Sequence, residues 1–153
     1  MYWRGLNDEK IYYHGDFYMG IPSVTLRLNS YRLADQLIRE GDNSLAKKVL
    51  NHVETVMPDK VIPYDQFSAS MVGLYLELGD TSKALALAKT MMDRNDKVLD
   101  YYLSGGLRSH DRDIQIAYYE MNIISASLTE SRIPSSKYEA IVSKFTKWKE
   151  RLN

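Results

Sequence analysis

The chain of 153 residues contains no cysteine. That absence excludes disulfides, thiolate nucleophiles and cysteine-based zinc sites, and it fits a cytosolic or a periplasmic setting equally well. Net charge is also lacking: 20 basic side chains face 20 acidic ones. Binding to nucleic acid draws most of its affinity from phosphate neutralisation, so the balance argues against a nucleic-acid partner. No apolar run approaches the ~20 residues that span a bilayer. The opening Met1-Tyr2-Trp3-Arg4-Gly5 has no signal-peptide core. As given, the chain reads as soluble with no direct membrane insertion, whether free-standing or one piece of a membrane protein. Phosphate-binding glycine loops, dinucleotide glycine fingerprints and the Gly-x-Ser-x-Gly elbow are absent too. Nothing in the sequence calls for a cofactor or a metal.

What is present is a 44% apolar composition, enough for a packed core, in a chain the size of one domain. Residues 1–23 carry Gly5, Gly15, Gly20 and Pro22 and no clear periodicity. They read as an irregular lead-in whose aromatics (Tyr2, Trp3, Tyr12, Tyr13, Phe17 and Tyr18) are expected to pack back on the helices. From Val24 the pattern turns helical. Leu33, Ala34, Leu37 and Ile38 make a stripe that Gly41-Asp42-Asn43 ends. Ala46, Leu50, Val53 and Met57 make a second, stopped by Pro58. Asp65 is placed to cap the next helix. Its stripe of Phe67, Met71, Leu74, Tyr75 and Leu78 ends at Gly79-Asp80-Thr81, and Ala84, Leu87, Ala88, Met91 and Met92 form the fourth.

The two halves repeat. Gly41-Asp42-Asn43-Ser44-Leu45-Ala46 aligns with Gly79-Asp80-Thr81-Ser82-Lys83-Ala84 at a spacing of 38 residues. Tetratricopeptide (TPR) units have about 34 residues, and the connection at Val61–Tyr64 can hold the surplus. In TPR terms Leu33 and Ala34 sit at the Leu-Gly pair, Leu37 at the Tyr, and Ala46, Leu50, Val53 and Pro58 on the second helix. In the second unit Met71, Tyr75, Ala84, Ala88 and Met91 fall in register. Ser30 and Ser68 replace the Trp, and Asp96 the final Pro.

A degenerate third hairpin is expected to cap the array. Its stripes are Ile114, Ala117, Tyr118, Met121, Ile124 and Leu128, then Tyr138, Ile141, Val142, Phe145, Trp148 and Leu152. Ser136-x-x-Glu139 has capping-box spacing, and Asp111 reads as a first-turn charge. The expected architecture is thus all-α, a TPR-like right-handed superhelix with units at about 24–58, 65–96 and 111–152. A short separate helix is expected near Lys97–Leu103.

Function is read from surfaces. His14, His52 and His110 match no metal motif, and Asp113 and Glu120 read as solvated charges on one helix face. By analogy with TPR grooves, which the first helix of each hairpin lines, the candidate contacts are Tyr31, Asp35, Arg39, Gln66, Ala69, Glu77 and Tyr119, with Asp35 and Arg39 also spaced to pair with each other. Twelve tyrosines fit core packing plus an aromatic binding rim. The expected partner is a protein or peptide. Two and a half repeats also leave homodimerisation through an exposed end open.

The runs Tyr31-Arg32-Leu33-Ala34, Leu37-Ile38-Arg39-Glu40-Gly41, Ala46-Lys47-Lys48-Val49-Leu50, Met57-Pro58-Asp59 and Ile62-Pro63-Tyr64-Asp65 resemble the C-terminal tail of a family of large bacterial multi-spanning membrane proteins of uncharacterised function. Gly5-Leu6-Asn7-Asp8 and Leu99-Asp100-Tyr101-Tyr102-Leu103 extend the resemblance. The membrane region of that family resembles lipid-linked-sugar glycosyltransferases, including protein O-mannosyltransferases. The resemblance implies a non-catalytic, TPR-like interaction domain on the extracytoplasmic (periplasmic) side, and it carries no catalytic residue into this segment. The alternatives are a free-standing cytosolic TPR adaptor and, further off, a small enzyme with an unrecognised site.

Overall fold

Two reversals with the same pattern of hydrogen bonds organise the first half of the chain. Helix α1 (Ile21–Arg39) and helix α2 (Asn43–Val56) meet at Gly41, which takes φ +85°; α3 (Gln66–Glu77) and α4 (Thr81–Ser104) meet at Gly79, at φ +75°. A left-handed residue lets the chain leave a helix while the last carbonyls stay satisfied. Accordingly the Gly41 and Asp42 amides donate to the Ile38 and Leu37 carbonyls, and the Gly79 and Asp80 amides to those of Leu76 and Tyr75. Each aspartate then turns to the next helix. The Asp42 carboxylate accepts from the Leu45 amide at 3.0 Å, and that of Asp80 from Lys83 at 3.3 Å. The 38-residue repeat is therefore a repeat of atoms as well as letters.

The computed structural model describes residues 6–12, 14, 21–105 and 111–152, and among them the secondary structure is entirely helical. Two further helices, α5 (Asp111–Thr129) and α6 (Glu139–Leu152), are joined through a 3-10 turn at Ser135–Lys137. Helix α1 packs on α2 and α3, α3 on α4 and α5, and α6 on both α4 and α5. Small residues open these contacts. Ala34, Ala46, Ala69, Ala84 and Ala88 are all fully buried, beside Leu50, Met57, Met91, Met92 and Leu99. Helix α6 closes the far end with Phe145 and a fully buried Trp148. The Trp148 indole N–H donates to Asp96 at 2.7 Å, and the Lys144 ammonium reaches Asp93 at 2.5 Å. Bonds from Lys144 and then Lys89 hold the Asp93 carboxyl below the usual carboxylate range.

Several expectations change. Helix α1 starts at Ile21, so Pro22 lies in its first turn, where a missing amide hydrogen costs nothing. Helix α4 runs unbroken to Ser104 in place of stopping near Asp96 before a separate short helix; Leu99 continues its apolar register into the core. Leu33 is 51% exposed, because α1 is the outermost helix of the array and that flank has no neighbour among the described elements. At Ser136 the chain makes the 3-10 turn, and α6 opens at Glu139 without the expected reciprocal cap. Of the lead-in, Leu6 joins the core while Tyr12 stands 84% exposed. Tyr2, Trp3, Tyr13, Phe17 and Tyr18 lie outside the described residues, as do His110 and the side chain of Asp111.

The connection between α2 and α3 is held from inside. Arg27 of α1 is 2% exposed. Its guanidinium donates to the carbonyls of Pro63 at 2.5 Å, Ile62 at 2.6 Å and Met57 at 3.2 Å, and lies 3.4 Å from the Asp65 carboxylate. Asp65 in turn caps α3 in a reciprocal box with Ser68, the other carboxylate oxygen accepting from the Phe67 and Ser68 amides. A buried charge is tolerable only when its hydrogen bonds are met, and here the loop meets them.

Gly41→Ala should cost roughly 1–2 kcal/mol, since a Cβ disfavours the left-handed region. Gly73→Ala, whose added Cβ would come no nearer than 3.4 Å to Ser127 Oγ, should gain roughly 0.5–1 kcal/mol of helix stability; urea unfolding of both variants measures this contrast. Arg27→Met leaves the buried Met57 and Ile62 carbonyls and the part-buried Pro63 carbonyl and Asp65 carboxylate without their donor and should cost about 3 kcal/mol, read from the same unfolding curves.

Candidate functional site

The second half of α4 forms one wall of a concavity. Beyond Met92 the helix presents Arg94, Asn95, Val98 and Tyr102 toward the first turns of α5, and the two helices, with the Pro63–Gln66 connection, enclose a cleft of about 690 Å³. On the α5 side it is lined by Arg112, Asp113, Ile116, Ala117 and Glu120. The sequence spacing put Asp113 and Glu120 on one helix face, and the structure places both in this cleft. Their solvated reading is corrected at Glu120, which is only 4% exposed, because α4 lies against its helix at that level.

Glu120 is held by α4. Asn95 Nδ2 donates to its Oε2 at 2.8 Å, and Arg94 Nη2 lies 3.4 Å from the same oxygen. The Arg94 guanidinium is shared. It also donates to the Tyr64 carbonyl at 2.8 Å and pairs with Asp59 at 3.2 Å. Burial raises the Glu120 carboxyl above its ordinary range, and the Asn95 and Arg94 bonds only partly offset that. Asp113 accepts from the Tyr102 hydroxyl at 3.3 Å. The outer lining includes Ile116, 37% exposed, and Tyr102, whose ring meets that of Tyr101, outside the lining, edge to face.

A second polar cluster joins the first two hairpins. The Lys83 ammonium bonds the Asn51 side chain, lies 3.9 Å from Glu54 and sits over the Tyr75 ring at 5.7 Å. The Tyr75 hydroxyl is buried beside Glu54, near enough to feel its charge but outside hydrogen-bonding geometry. Burial disfavours the ionised form of both groups and pushes their pKa values up. Among the described residues, no three His, Asp or Glu side chains gather as a metal-ligand set.

The anticipated groove contacts disperse. Gln66 lines the cleft. Ala69 is fully buried and so is core, because α3 is covered by neighbours on both sides. Tyr31 packs half-buried against the core. Asp35 and Arg39 bond each other at 3.1 Å on the surface. Glu77 is exposed at the end of α3, and Tyr119 is 53% exposed on α5 away from the cleft lining. The residues that sequence reasoning missed are Arg94 and Asn95. In the sequence they sit in the polar run Asp93-Arg94-Asn95-Asp96, which reads as the solvated end of a helix.

No protein-family model, curated protein or solved structure matches the chain. No helix among the described residues is long and apolar enough to cross a membrane.

The folded protein holds the Glu120 proton more tightly than the unfolded chain does. Its contribution to stability therefore falls as pH rises from the ordinary glutamate range through the raised value. Glu120→Gln, which does not titrate, lacks that decline. The stability difference between variant and wild type should move in the variant's favour as pH rises across this window and level off above it. Urea unfolding at stepped pH tests this, and Glu54, common to both proteins, cancels in the difference.

Proposed function

We propose that this chain is a non-catalytic protein-binding module of the tetratricopeptide kind and that the cleft between α4 and α5 is where a partner segment seats. The observation that carries the reading is the cleft itself, a concavity large enough for several side chains whose lining sets the exposed Ile116 and the Val98 and Tyr102 side chains beside buried polar groups. Apolar surface with a few placed polar groups is the usual make-up of a binding pocket. The repeated glycine-aspartate reversals at 38-residue spacing, and the succession of α1 on α3 and α3 on α5, support a solenoid of stacked hairpins. Arg94 is committed to bonds that join elements, which favours a binding role for the cleft over a catalytic one.

For the setting, we propose the extracytoplasmic tail of a membrane protein resembling lipid-linked-sugar glycosyltransferases, where the module would present acceptor proteins or hold partner subunits. The support is the resemblance of the runs around Gly41 and Pro58 to such tails.

A photo-crosslinking residue at position 116, in the parent protein in cells, should trap a discrete partner that the same residue at Lys149 on α6 does not trap. Deleting residues 24–153 should remove partners from a crosslinked pull-down of the parent and lower its transfer activity. An unchanged partner set and unchanged activity after deletion would remove the accessory-module reading.

A further inference from the structure

The buried carboxylate at the back of the cleft is short of positive charge. Both of its close contacts, Asn95 at 2.8 Å and Arg94 at 3.4 Å, fall on Oε2. Asn95 is neutral. The Arg94 guanidinium is divided among Glu120, Asp59 and the Tyr64 carbonyl. An ion taken out of water needs close, well-directed compensation, and a shared guanidinium at 3.4 Å is a weak supply. Burial outweighs it, so the carboxyl holds its proton more readily than a solvated one.

We infer that the cleft takes a lysine or arginine side chain from an extended partner segment, with its positive end reaching Glu120 and its aliphatic stem lying along Val98 and Ile116. This rests on the protein-binding reading above and names the chemistry of the segment that seats there. Long cationic side chains bury their stems on apolar walls while the head meets a polar group, and the cleft offers that sequence of surfaces from mouth to back: Ile116, Val98, then Glu120. The ionisable groups lining the cleft count three carboxyls (Asp65, Asp113 and Glu120) against two guanidiniums (Arg94 and Arg112), so the lining is acidic by one charge. Asp65, the odd carboxyl of that count, caps α3 and is matched by Arg27 from outside the lining; Asp113 and Glu120 then face Arg112 and an Arg94 that Asp59 shares, which leaves the deeper Glu120 with less than a full counter-charge. Arg112 is exposed on the α5 side. It disfavours a bare small cation and suits one that arrives on a peptide, whose carbonyls can accept from it. The fold already seats cations on aromatic and acidic groups together: Lys83 lies over Tyr75 beside Glu54, and Lys147 over Trp148 beside Asp96.

The test is a titration of the isotope-labelled chain, followed by amide NMR signals, with the acetylated and amidated pentapeptide Ala-Leu-Lys-Leu-Ala and its counterparts carrying norleucine or glutamate in place of lysine. The lysine peptide should shift the signals of Val98, Ile116 and Glu120 and bind about tenfold more tightly than the norleucine peptide, the worth of a charge-assisted hydrogen bond. The glutamate peptide should leave them unmoved. Glu120→Gln should bring the lysine peptide down to the norleucine level, with a thermal melt checking that it folds. Ile116→Lys, at an exposed position, should block the lysine peptide while leaving the rest of the spectrum in place. Equal affinity for lysine and norleucine, lysine affinity unchanged in Glu120→Gln, or no shift at millimolar peptide overturns the inference. A partner still trapped at position 116 in any of those cases keeps the binding-module reading; loss of both removes both.

Discussion

The buried guanidinium of Arg27 is the constraint on which the rest of the arrangement depends. It fastens α1 to the connection between α2 and α3 through the carbonyls of Met57, Ile62 and Pro63. Once that connection is held, Asp65 stands where it can cap α3, and Tyr64 and Asp59 present acceptors on the other side. Arg94 of α4 takes those acceptors and extends to Glu120 of α5. Two arginines on successive hairpins thus grip one stretch of chain from opposite sides, and the second passes the linkage on to the third hairpin. The cleft exists because this linkage sets α5 against the second half of α4 at a distance. Its polar back wall is the same set of groups that makes the joint.

Such an arrangement has an energetic logic. Interior ion pairs seldom add net stability over an apolar equivalent, but losing one partner is costly. Arg27 and Arg94 therefore contribute less as attraction than as specificity. The apolar stripes of α1, α3 and α5 would accept several sliding registers, whereas a guanidinium with three carbonyl acceptors accepts one. Core volume drives collapse, and the two arginines choose among the collapsed arrangements.

How much of this was legible in the letters differs by element. The hairpin reversals were fully legible, because glycine followed by aspartate reports a backbone conformation and a cap, both local. The buried alanines and methionines of α2 to α4 were legible from periodicity alone. The end of α4 was not. Asp93, Arg94, Asn95 and Asp96 look like the solvated close of a helix, and only the packing of α5 and α6 on that stretch reveals four polar residues turned to partners from other elements. Arg27 was illegible for the same reason: nothing near it in the chain marks it as interior, since its partners lie 30 to 38 positions away. Of the groove residues drawn by analogy to a repeat pattern, Gln66 lines the cleft and the others lie elsewhere, because Val98 and Tyr102 reach it from turns of α4 that such a pattern does not provide.

The grip on the α2–α3 connection falls mostly on main-chain oxygens, which every amino acid carries. Lys60 and Pro63, whose side chains point outward, can therefore drift in identity without loosening the joint, provided the number of residues between Met57 and Asp65 is kept. The interhelical turns behave differently, since each uses one residue on two helices at once, its amide on the helix before and its side-chain oxygen on the helix after, so that position is restricted to the short polar capping residues. Related chains would be expected to vary at the outward positions of the long connection, such as Lys60 and Pro63, while keeping its length and its anchors Asp59, Val61, Ile62 and Asp65.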